Sequence, residues 1–295
     1  MSKILITGGA GNIGSFLVAK LIDNNEVTVV DDLSHGKLSN LPPTGFRFIQ
    51  ADINTFKGFK EKFDYIFHLA AFVGVMETQK EPLKVFDDID GIKNILNLAK
   101  EGDTKRVFFA SSSEIYGESP IMPLHEDNTP LNCRLPYAVV KNIGESLCKS
   151  YYKKYGLNYT IFRFFNTFGS NQTTRLVIPK FIEAAKENKD IVVYGNGQQT
   201  RCFIFVDDTV DVCLKCLYEN KMVNGIINIG SDKIYTILDL AKLVIKLCQS
   251  KSKIILLPSP VEEGDITYRQ PDNTKMKYIL NRELISLEEG IKKII

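Results

Sequence analysis

The sequence predicts an α/β fold, a doubly wound parallel sheet followed by a smaller α/β lobe at the carboxyl end. Three observations carry this. Strand-like apolar runs at residues 3–7, 27–31, 46–50, 64–69, 105–110 and 158–164 alternate with helix-like segments, and such alternation builds a parallel sheet with helices on both faces. The first run leads straight into Gly8, Gly9, Ala10, Gly11, Asn12, Ile13 and Gly14, a glycine-rich turn that opens an amphipathic helix over 13–22. The second ends in the acidic pair Asp31 and Asp32. Together they read as the first βαβ unit of a Rossmann-type sheet.

Each element has its reason. Gly8, Gly11 and Gly14 permit a tight turn, close backbone approach to a pyrophosphate and tight packing of helix on strand. Asn12 and Ile13 then lie at the helix amino terminus, where phosphates bind. The spacing is Gly-x-x-Gly-x-x-Gly, not the commoner Gly-x-Gly-x-x-Gly, and an ordinary strand-to-helix turn is the plainer alternative. An acid at the end of the second strand accepts hydrogen bonds from ribose hydroxyls and repels a 2′-phosphate, which favours NAD over NADP. Asp31 is the candidate for that role, with Asp32, Leu33 and Ser34 lining the pocket and Lys37 close enough to reach a phosphate. Turn chemistry alone also explains an Asp pair.

Downstream, Ser111, Ser112 and Ser113 follow the strand at 105–110, and a proline-punctuated loop over 118–136 leads into a helix that holds Tyr137 and Lys141. Positions i and i+4 share a helix face, so the ammonium can sit beside the phenol. Lowering a Tyr pKa from about 10 to about 7 takes roughly 4 kcal/mol, and two neighbouring positive charges, Lys141 and an oxidised nicotinamide, could supply most of it. The same spacing recurs by chance on solvated helices. Gly8, Asp31, Asp52, Ala70 and Ser112 all fall at carboxyl ends of predicted strands, where ligands bind in such sheets.

The 295 residues and 44% hydrophobic content allow a sizeable core, in one large or two smaller domains. A net charge of +2 with no basic stripe argues against a nucleic-acid partner. No apolar run approaches the roughly 18 residues of a membrane span, and no signal segment precedes the first strand. A cytoplasmic protein is expected. The six cysteines show no framework spacing, and Cys213 and Cys216 fall inside a helical run without a second ligand pair, so neither a metal nor a redox centre is expected. His68 reads as a packing residue.

With the glycine loop, the acidic strand end and the Tyr–Lys pair placed, the chain resembles the extended short-chain dehydrogenase/reductase family acting on nucleotide sugars. The resemblance spans nearly the whole chain. It rests further on Ala51-Asp52-Ile53, His68-Leu69-Ala70-Ala71, Ser111-Ser112-Ser113-Glu114-Ile115-Tyr116-Gly117, Tyr137-Ala138-Val139-Val140-Lys141, Arg163-Phe164-Phe165-Asn166, Gln199-Thr200-Arg201, and Arg269 with Pro271-Asp272. It implies that Asp52 and Ile53 flank the adenine, that Leu69, Ala70 and Ala71 lie along NAD, and that Ser112, Tyr137 and Lys141 are catalytic. It also implies that Ser113, Asn166, Arg201 and Arg269 hold the substrate, with residues 73–78 and 166–175 shaping the sugar pocket. Asp88 stands where many members carry Asn, and Ser113 stands where one dehydratase branch carries Asp.

By that resemblance the chain divides into an NAD domain over 1–165, with a return segment near 200–230, and a nucleotide-sugar lobe over 166–295. The helices near 83–100 and 137–155, with Tyr151, Tyr152 and Tyr155, resemble a homodimer interface. The expected activity is an NAD-dependent UDP-sugar 4-epimerase working through a 4-keto intermediate. Glu114 beside Ser112 keeps 4,6-dehydration or decarboxylation open as alternatives. A non-catalytic NAD-binding regulator is the alternative from another class.

Overall fold

A computed structural model describes residues 1–258 and 269–295. Its centre is a seven-stranded sheet of β1 (Ser2–Thr7), β2 (Asn25–Asp31), β3 (Phe46–Gln50), β4 (Tyr65–His68), β5 (Arg106–Ser112), β6 (Tyr159–Phe164) and the strand Gly225–Ile229. Every pairing is parallel. The order runs Gly225–Ile229, β6, β5, β4, β1, β2, β3. The winding direction reverses between β1 and β4, and a crevice opens at such a switch point beyond the carboxyl ends of the strands.

Alternation along each strand sends side chains to opposite faces, and two apolar layers result. Ile4, Ile6, Phe67, Phe108 and Phe162 pack on one face with Leu17 and Val18 of α1 (Asn12–Leu21). Leu5, Ile66, Val107, Phe109 and Ile161 pack on the other with residues of two later helices. A short α2 (Val75–Lys80) precedes these, and they are α3 (Asp88–Glu101), contributing Ile92 and Ile95, and α4 (Pro136–Tyr155), contributing Val140 and Cys148. Residues 83–87, expected as helix, form instead a 3-10 turn at Lys84–Asp87 before α3 begins. The acids Asp87, Asp88 and Asp90 favour a helix amino terminus at this point, because the positive end of the helix dipole stabilises them.

Three two-stranded sheets lie outside the central one, joining Thr167–Phe168 with Ile204–Phe205, Thr200–Cys202 with Ile234–Thr236, and Ile191–Tyr194 with Ile254–Leu257. The carboxyl end folds as two short helices, Thr274–Leu280 and Leu287–Lys292. Arg282 between them pairs at 2.5 Å with both Asp208 and Asp211 of the helix Val206–Tyr218. Cys213 and Cys216 are buried in that helix, and burial pushes both thiol pKa values up. Among the described residues no helix is long and apolar enough to cross a membrane.

Candidate active site

The glycine loop crosses the crevice between β1 and β4. Gly8 has φ +70°, and a Cβ there would stand 2.6 Å from Ala70 N. A Cβ on Gly14 would lie 2.3 Å from Gly8 O, so loop and helix touch backbone to backbone. Leu69, Ala70 and Ala71, all half-buried, therefore form the opposite wall. The amino end of α1 has no side-chain cap and no acid in its first turn. Its first N–H groups thus remain open to an anion. Asn12 Oδ1 is buried without a partner at the same end.

Asp31 sits at the carboxyl end of β2, its carboxylate accepting from Ala10 N–H at 2.9 Å and Leu33 N–H at 2.8 Å. Burial raises its pKa, partly offset by these two bonds. Each oxygen keeps a second lone pair for a hydroxyl donor. Asp32 turns aside, accepting from the backbone and hydroxyl of Ser34 at 2.9 and 2.7 Å. Asp52 accepts from Asn54 N–H, and Ile53 packs into the core beneath. Sequence reasoning missed His35. Its ring packs edge-on against Phe72, with Nε2 buried and unpartnered, and its place four residues after Asp31 was the available signal.

At the end of β5, Ser112 caps the 3-10 turn Ser113–Tyr116 by accepting Glu114 N–H at 3.2 Å, and its side chain favours the Tyr137 phenolate. Pro136 opens α4, where its fixed φ and missing N–H cost nothing. One turn on, Lys141 Nζ lies 5.6 Å from the Tyr137 ring centre and donates to Ala110 O at 2.8 Å. Burial lowers the Lys141 pKa to about 8, opposed by the Asp88 charge. The Tyr137 pKa is raised, by burial first and then by Glu114 and Asp88, with the Ser112 side chain opposing. The expected acidic phenol draws on Lys141 and an oxidised nicotinamide together, and the chain alone carries only the first of these charges. In the chain alone, desolvation outweighs the groups that favour the phenolate.

A buried polar chain fixes these elements. Arg163 donates to both oxygens of Glu145 at 2.9 and 2.8 Å, Ser111 donates to Glu145 at 2.6 Å, and Arg163 reaches the Tyr116 hydroxyl at 2.8 Å. Tyr116 donates in turn to Asn228 at 2.7 Å. Among the residues expected to hold the substrate, Arg269 pairs with Glu114 at 2.6 Å and donates to Ser113 at 3.3 Å. Its segment is anchored by the Leu124–Pro271 bridge. Asn166 holds Cys202 O at 3.1 Å, next to Arg201, which itself donates to Thr200 O. Glu77 and Arg175 pair at 3.1 Å between the two segments expected to shape the sugar pocket; the side chains of Val75 and Met76 lie outside those described.

Residues 4–230 match the model of the NAD dependent epimerase/dehydratase family. The chain belongs to that family. It is 37% identical to a UDP-N-acetyl-alpha-D-glucosaminuronate decarboxylase of Bacillus cytotoxicus, over 99% of this chain and 96% of that one. A UDP-glucose 4-epimerase of Thermotoga maritima, solved with UDP-glucose, superposes with a TM-score of 0.91 at 31% identity, covering 98% of this chain and 96% of that one. A UDP-glucose 4-epimerase of Thermus thermophilus, solved with NAD, gives 0.88 at 26% identity, covering 98% and 96%.

NAD is the cofactor, and the residues fit it: a cradle that any Cβ at Gly8 or Gly14 would fill, an uncapped helix end and a buried acid beside it.

Proposed function

We propose that the protein is a nucleotide-sugar 4-epimerase acting on a UDP-sugar. The observation that carries this reading is Lys141 one turn beyond Tyr137 on the same face of α4, its ammonium 5.6 Å from the phenol ring centre and nearly sealed from water at the carboxyl end of β5, where Ser112 stands. Tyr137 takes the proton of the sugar 4-hydroxyl, Ser112 orients that hydroxyl, and Lys141 holds the cofactor ribose and favours the phenolate. Bound NAD supplies hydride acceptance at C4 and its return. Arg201 and Arg269 grip the diphosphate while the 4-keto ring turns over, since planar guanidiniums match phosphate oxygens. Tyr137 then returns its proton to the new alcohol. We assign residues 1–165 with the strand Gly225–Ile229 to cofactor binding and the rest of 166–295 to the sugar. We assign the α3–α4 face, with Tyr152 and Tyr155 exposed, to a homodimer contact.

A second reading is decarboxylation of a sugar acid after the same first step. The Arg269–Glu114 pair beside Ser113 favours it, as does the likeness to the Bacillus decarboxylase. A 4-keto sugar with a carboxylate on C5 is a β-keto acid, and Arg269 could hold that carboxylate. One panel separates the readings: UDP-hexoses and UDP-uronates incubated with the purified protein, followed by proton NMR and carbon dioxide release. A C4 epimer without gas supports the epimerase, gas from a uronate supports the second reading, and no turnover of any sugar while NAD binds overturns both. Tyr137→Phe should abolish turnover and leave NAD bound.

A further inference from the structure

We propose that residues 169–175 form a strap across the mouth of the cofactor crevice, and that Asn171 is the positioning residue that fastens this strap over bound NAD. This rests on the reading of the glycine loop as the cofactor's cradle.

The crevice lies between β1 and β4, and the segment is tied to both of its walls. On the β1 side, Asn171 Nδ2 donates to Ser15 Oγ of α1 at 2.9 Å and reaches Asn40 O, in the loop after β2, at 3.4 Å. Both partners lead to the cradle. Ser15 Oγ donates on to Asn12 O at 3.2 Å, at the uncapped end of α1. Asn40 Nδ2 donates to Ala10 O of the glycine loop at 2.8 Å. A Cβ on Gly169 would stand 2.8 Å from Asn12 Oδ1, so the segment meets the same helix end with bare backbone. On the β4 side, Arg175 pairs with Glu77 at 3.1 Å. Glu77 belongs to α2, which continues the wall begun by Leu69, Ala70 and Ala71.

Between the two ties, Gln172 closes the segment on itself, its side chain donating to Thr167 O at 2.9 Å and its N–H to Gly169 O at 3.2 Å. A strap braced in this way and fixed at both ends has to lift before a dinucleotide seated on the glycine loop can leave, and such openings set release rates. Asn171 is the stronger tie. It is half-buried and its partner Ser15 is buried, whereas Arg175 is exposed, and an exposed ion pair holds weakly. A retained cofactor suits a reaction in which NAD ends each turnover as it began.

The test is the rate at which NADH leaves the whole protein, read as the loss of its bound fluorescence on mixing with excess NAD. Asn171→Ala should speed release about three- to tenfold, the weight of one part-buried hydrogen bond. Adding Ser15→Ala to it should bring little more, because both act on one bond. If Asn171→Ala lowers the urea midpoint but releases NADH at the wild-type rate, the segment merely braces the fold and the proposal is wrong. Should Asn171→Ala fail to fold, the exposed tie decides. Arg175→Glu sets two acids against each other and should speed release, and combining it with Glu77→Arg should restore the wild-type rate; equal rates in all three proteins overturn the strap. Gly14→Ala is the control on the underlying reading. If it binds NADH as tightly as the wild type, the cradle is misassigned, whereas a weakened Gly14→Ala with an unmoved Asn171→Ala fails the strap alone.

Discussion

Glu145→Gln should destabilise the protein by about 3–5 kcal/mol, the cost of breaking a buried ion pair by removing one charge. The side chains of Arg163 and Glu145 are 2% and 1% exposed, so the guanidinium cannot recover its lost partner from water. The glutamine keeps the volume and one oxygen, but turns an NH₂ toward a group that only donates. A single charge-assisted hydrogen bond is worth roughly 1.5–3 kcal/mol, and that loss forms part of the total. Urea unfolding followed by circular dichroism measures it, as a lower midpoint at unchanged slope. Glu145 lies one turn beyond Lys141, and its partner Ser111 directly precedes Ser112. Relaxation there should shift Tyr137 against Ser112 and lower kcat by about tenfold or more, since small misplacements are costly. Glu145→Leu combined with Arg163→Met should recover stability relative to Glu145→Leu alone. A loss under about 1 kcal/mol in Glu145→Gln would refute the assignment of this pair as the clamp between α4 and the sheet.

Gly14→Ala places a methyl 2.3 Å from Gly8 O and 2.7 Å from Gly9 Cα, backbone atoms that cannot swing aside; NAD affinity by calorimetry should fall at least tenfold, with about 1–3 kcal/mol of stability lost. Burial holds the His68 pKa at about 3, well below its ordinary 6.5. The unfolded chain therefore binds the extra proton first: stability is full above pH 6.5 and declines as pH falls towards 3, at up to about 1.4 kcal/mol per unit, and His68→Gln should flatten that slope in pH-dependent urea melts. Arg282→Ala leaves the carboxylate of Asp208 buried without its cation, so hydrogen exchange should rise in Thr274–Leu280 and Leu287–Lys292 before the central sheet opens.

What the sequence reveals about this site follows from the reach of local spacing. The strand ends, the glycine loop and the Tyr137–Lys141 face are set by periods of two and four residues, and each appears where those periods put it. Partners far apart in the chain carry no such signal. Glu145 and Arg163, and Glu114 and Arg269, meet only because the parallel sheet brings α4, β6 and the carboxyl segment to one edge of the crevice. Those distant partners also decide the chemistry. Spacing places an ammonium beside a phenol, but burial, Glu114 and Asp88 together hold Tyr137 as a phenol in the protein alone. Base strength at Tyr137 is then conditional on a further positive charge within the crevice, which an oxidised nicotinamide bound against Gly8 and Ala70 would bring. On this argument proton abstraction is coupled to cofactor occupancy: the tyrosine should titrate at lower pH with NAD bound than without it, in ultraviolet difference spectra of wild type against Tyr137→Phe. Equal titration in the two states would mean that the charge balance around Tyr137 has been drawn wrongly.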